Sequence, residues 1–139
     1  MGVVYGRSLA ANLIQQGKYD EAIAEATRAI TQSEVDVIAW FDRACARTAL
    51  GQHVEAVADI EAAVKHDDGL DELDLDVVDD AYFTALLSVA RAMPTGAAGA
   101  SYLVRYRELF PTGAHLGDVV EWQARLRGEV ELKPIVIER

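Results

Sequence analysis

The chain has 139 residues, 51% of them hydrophobic, and a formal net charge of −10. That length allows one continuous core in one domain, and the charge, with no basic stripe interleaved with aromatics, excludes a nucleic-acid backbone as partner. The longest uncharged run, 92–104, is interrupted by Pro94 and glycine and falls short of the roughly 18 apolar residues a membrane span requires.

Val4, Leu9, Leu13 and Ile14 form a helical stripe over residues 3–16, which predicts a first helix closed by Gly17-Lys18. Tyr19 to Thr31 predicts its partner, with Ala22, Ile23, Ala26, Ala29 and Ile30 on one face. Ser33-Glu34-Val35-Asp36 has the form of a capping box and places the third helix at about Val35 to Leu50, ended by Gly51. His53 to Lys65 is the predicted fourth helix. Residues 67–80 then accumulate eight acids without a Lys or Arg and read as an irregular insertion. A helix opened by Tyr82 follows, then a turn at Pro94-Thr95-Gly96 and a helix from Ala97 to Leu109. A seventh helix, about Ala114 to Arg127, carries His115, Val119, Trp122 and Leu126 on one stripe with Leu116 and Val120 beside it. Residues 129–139 form a tail.

Gly17, Ala22 and Ala29 recur 34 residues later as Gly51, Ala56 and Ala63. A period of this length with small residues at the crossings signals stacked helical hairpins. The second copy reads Trp40-x2-Arg43-Ala44-x2-Arg47, then Ala56-x3-Ile60, with Asp68 at the position of a closing Pro; the first reads Gly6-x2-Leu9-Ala10-x2-Leu13, then Ala22-x3-Ala26, with Glu34 there. This pattern resembles the tetratricopeptide repeat (TPR) family. The resemblance implies an all-α, right-handed helical-hairpin solenoid: a first repeat at about 3–34, a second at about 35–68, the acidic insertion at about 67–80, a degenerate third repeat at about 80–111 and a capping helix at about 114–128. With Tyr82 as the counterpart of Trp40, Ala98 takes the position of Ala22 and Ala56.

In TPR proteins the first helix of each hairpin lines a concave groove. Carried over by position, the resemblance implies a groove offered by Arg7, Ser8, Ala11 and Gln15, then Phe41, Asp42, Cys45 and Ala49, then Phe83, Thr84, Leu87 and Arg91. Phe41 and Phe83 lie next to the buried aromatic position and read either as anchors for a ligand in the groove or as side chains packed between adjacent repeats. Asp42 and Ala11 stand where the family's carboxylate clamp uses Asn, which argues against an acidic tail as ligand.

No HExxH, GxSxG, P-loop or dinucleotide glycine pattern occurs, and His53, His66 and His115 fall on separate elements, so neither catalysis nor a cofactor is expected. The acidic insertion lacks the spacing that wraps a calcium ion and reads as a solvated connection or a docking surface for a basic partner. The single Cys45 can form no internal disulfide or zinc site and reads as a packing residue. Arg43 and Arg47 are expected to bridge to Asp59 or Glu61. Without a leader or lipidation signal at the start, a soluble cytoplasmic protein is expected. The implied function is a protein–protein interaction module that takes a peptide with an apolar anchor and a basic flank. The alternative is a structural subunit or self-associating block that uses the third repeat and the tail.

Overall fold

The computed structural model describes residues 8–67 and 72–128. They form eight helical segments: α1 (Leu9–Gln15), α2 (Tyr19–Gln32), α3 (Val37–Ala49), α4 (His53–His66), α5 (Leu75–Arg91), α6 (Gly96–Tyr102), α7 (Val104–Leu109) and α8 (Leu116–Arg127). The fold is all-α, with no strand among the described residues. Residues 3–7 of the predicted first helix, Asp68 and the predicted tail lie outside the described residues.

Local chemistry sets the boundaries. Ser8 caps α1 by accepting the Ala11 N–H at 2.9 Å. Gly17 and Gly51 end their hairpins' first helices at φ 77° and 79°, a left-handed conformation that glycine adopts without a Cβ clash. The next N–H in each turn, from Lys18 or Gln52, returns to the carbonyl of Leu13 or Arg47 at 2.9 and 2.8 Å. The capping box predicted at Ser33 does not form. Ser33 instead closes α2, and Asp36 caps α3 by accepting the Ala39 N–H at 3.1 Å. The predicted insertion is also shorter than expected, because Asp74 caps α5 and the acids beyond it belong to that helix.

Each helix packs on its chain neighbours, and α1 also meets α3, α3 meets α5, and α6 meets α8. From α2 to α4 the start moves from Tyr19 to His53 and the end from Gln32 to His66, so the first two hairpins repeat without slippage. Ala22 and Ala56 are both fully buried at the fourth position of these helices. An alanine-rich cluster (Ala10, Ala22, Ala26, Ala39, Ala46) fills the space between α1, α2 and α3. A larger core of Ile60, Tyr82, Leu86, Leu103, Tyr106 and Val119 spans α4 to α8. Ala56→Leu is expected to lower stability by about 1 to 3 kcal/mol through overpacking; a urea melt superimposable on the parent's would refute the close crossing.

The third hairpin departs from the repeat. Its turn runs from Ala92 to Thr95, one residue longer than the Leu50–Gln52 turn, so the fourth position of α6 is Gly99 and not the predicted Ala98. Gly99 is buried and Ala98 exposed. The second helix predicted from Ala97 is broken at Leu103 into α6 and α7. On α8, Val119 is buried as expected, but Val120 is 58% exposed and the inward position belongs to Gln123, whose amide donates to the Ala100 carbonyl at 2.9 Å. That bond satisfies a polar group which would otherwise be stranded in the core.

Candidate functional site

The described residues proposed for a groove sit on α1, α3 and α5, with Ser8 as the cap of α1, and these three first helices touch in that order. Arg7 lies outside the described residues. At the α1 end the Ser8 hydroxyl donates to Asp42 Oδ2 at 2.5 Å, and Asp42 is only 9% exposed. Asp42 therefore ties α3 to the cap of α1 and is not displayed on an open face as the sequence reading expects. Ala11, Phe41, Cys45 and Leu87 are half-buried, and Thr84 is exposed. Phe41 and Leu87 rest on the larger core with part of each side chain uncovered. Burial, reinforced by the Asp42 carboxylate, pushes the Cys45 thiol up to about 11. It is a thiol and a poor nucleophile at neutral pH.

Phe83 is the clear correction. It is 9% exposed, its ring stacked on His115 with centroids 4.5 Å apart and planes at 5°, and it meets Tyr106 edge-on at 6.0 Å. The chain itself fills the place where a ligand anchor was expected. Arg91 is exposed, but its guanidinium lies over the Trp122 ring of α8, 5.1 Å from the centroid. A cation seated on an aromatic face in this way helps hold the two helices together. Among the described residues the uncovered part of the row is thus Ala11, Gln15, Phe41, Cys45, Ala49, Thr84 and Leu87, and α8 meets the row at Arg91 through Trp122.

That closure rests on residues the sequence reading did not assign. Asp79, 6% exposed, accepts the Tyr106 hydroxyl proton at one oxygen and the Ala114 N–H at the other, 2.9 Å away. Tyr106 in turn accepts the His115 backbone N–H at 2.9 Å. Burial first, and then the bond to Asp79, push the Tyr106 phenol up to about 12, so it donates throughout the neutral range. Gly113 lets the chain pass this close, since a Cβ there would lie 2.1 Å from the Tyr106 hydroxyl.

Two further charged clusters are structural. Arg43 holds Asp59 with two bonds, at 2.9 and 3.0 Å, and Arg47 adds a third at 2.8 Å, as the spacing predicts. Glu61 pairs instead with Arg105, through two bonds of 2.9 Å, and accepts from Tyr82 at 2.6 Å. Burial, followed by the Glu61 bond, pushes the Tyr82 phenol far up and keeps it protonated. Lys65, Glu108 and Leu109 line the same cleft.

Among the described residues no group of three or more His, Cys, Asp or Glu is placed to hold a metal ion, and no helix is long and apolar enough to cross a membrane. The chain matches none of the protein-family models and none of the curated proteins with which it was compared.

Proposed function

We propose that the chain is a TPR-like solenoid acting as a protein–protein interaction module in the cytoplasm, with a peptide or helix of its partner lying along α1, α3 and α5. The observation that carries this reading is the half-buried strip of Phe41, Cys45 and Leu87, apolar side chains left partly uncovered on consecutive first helices. A Leu or aromatic anchor fits such a strip. With a net charge of −10, long-range steering favours a ligand with a basic flank. A second reading, a structural block that associates with copies of itself or a larger assembly, is favoured by Phe83, which the chain already covers.

A panel of peptides with matched apolar anchors and either basic or acidic flanks tests the proposal. Basic peptides are expected to bind more tightly, and Phe41→Ala to weaken them about tenfold, equivalent to about 1.4 kcal/mol, mostly through faster dissociation. Preference for acidic peptides would refute the charge reading. Equal binding by Phe41→Ala would refute the strip. Self-association in sedimentation that Phe41→Ala abolishes would favour the structural block.

A further inference from the structure

His115 lies in the connection between α7 and α8, and both of its ring nitrogens face carboxylates. Nε2 is 2.7 Å from Asp80 Oδ1 on α5, and Nδ1 is 2.8 Å from Asp118 Oδ2 in the first turn of α8. A neutral imidazole carries one N–H and one lone pair. It can donate to one of these carboxylates, but it then turns its lone pair toward the other at hydrogen-bond distance. The doubly protonated ring satisfies both at once, while its face stacks on Phe83.

We propose that protonated His115 is a latch that ties the start of α8 to α5, and that loss of its proton loosens α8 and uncovers Phe83. The groups around the ring come from every element packed there: Asp79, Asp80 and Phe83 from α5, Tyr106 from α7 and Asp118 from α8. Asp79 is committed to Tyr106 and Ala114, and its charge adds to the field that favours the cation. The direction of the effect follows from the balance at the ring. Burial pulls the His115 value down, but the bonds to Asp80 and Asp118 together with the charges of Asp79 and Asp80 outweigh it, so the folded-state value lies above that of an ordinary histidine. A raised value means the stabilisation is fully present below the unfolded value and is lost as pH rises through the folded one. The latch is therefore closed in mild acid and opens toward alkaline pH. Asp80 and Asp118 are exposed carboxylates, so added salt screens the contact and weakens the latch without abolishing it. Opening lengthens the apolar strip by Phe83, a consequence for binding that rests on the proposed function, whereas the latch itself does not.

The test follows His115 by proton–carbon NMR in the full chain and follows α8 by Trp122 emission in a Trp40→Phe background. His115 is expected to titrate above an ordinary histidine, and Trp122 emission to change with the same midpoint. Asp80→Asn combined with Asp118→Asn should lower the His115 midpoint to the ordinary value or below it and remove the shared transition, and His115→Gln should leave the emission flat across it. A His115 midpoint at or below the ordinary value, an unshifted midpoint in the double variant, or emission unchanged while His115 titrates would each overturn the latch. No ligand enters these measurements, so failure of the peptide experiments leaves the result intact.

Discussion

Asp59→Ala is expected to lose about 3 to 5 kcal/mol of folding stability, because removing one partner leaves the other charges of a buried cluster uncompensated. The Asp59 side chain is 3% exposed and those of Arg43 and Arg47 are 13% and 22% exposed. With the carboxylate gone, two guanidinium groups remain against α4 with little water to solvate them. Arg43 keeps the Thr27 hydroxyl at 3.0 Å and the Trp40 face at 5.1 Å, neither of which neutralises a charge. Arg47 is already incompletely satisfied, since its Nε is enclosed without an acceptor. An apolar triple replacement, Asp59→Leu with Arg43→Met and Arg47→Leu, should therefore lose far less than the single change. Urea melts of the two variants decide it: a loss under about 1 kcal/mol for Asp59→Ala would place the cluster among surface ion pairs.

Periodicity made the first two hairpins legible. Gly17 and Gly51 must supply a left-handed turn, Ala22 and Ala56 must fit a close crossing, and Arg43 and Arg47 sit one helical turn apart, where a single acid on the next helix can reach both. These requirements are local, so they leave a mark at a fixed spacing. The third hairpin hid its geometry because one more residue in the turn before Gly96 rotates every later position, turning Ala98 outward and Gly99 inward. Asp79 was illegible for a different reason. In sequence it is one acid among eight, and only the start of α5 at Leu75 determines that it shares an inward face with Tyr82, Phe83 and Leu86. Phe83 is ambiguous in sequence because whether it lines a groove or a core depends on a contact 32 residues away in the chain, between Phe83 and His115. That Phe41, Cys45 and Leu87 stay half-buried on α3 and α5 is in keeping with their places on the first helices, whereas the cover over Phe83 leaves no such mark.

Gly99→Leu is expected to destabilise the fold by about 3 kcal/mol, at the upper end of the usual overpacking range. A Cβ at Gly99 would lie 2.4 Å from the Ala90 carbonyl oxygen of α5 and 3.4 Å from a methyl of Leu126 on α8. The first of these is backbone, so no rotamer change relieves it and α6 must move away from α5. Such a shift also opens the crossing with α8, where Gly96 allows the Leu126 carbonyl an approach that a Cβ would block at 1.7 Å. Trp122 would then lose its seat beneath Arg91, and the cover over Phe83 would go with it. Gly99→Ala should lose about 1 to 2 kcal/mol by the same contact. Gly117 provides the opposite case: it is helical and exposed, and a Cβ there would clash with nothing, so Gly117→Ala should gain about 0.5 kcal/mol by restricting the unfolded chain. Urea melts of the three variants test the crossing directly. If Gly99→Ala and Gly117→Ala shift the midpoint in the same direction, α6 does not pack against α5 and α8 at the distance that requires glycine.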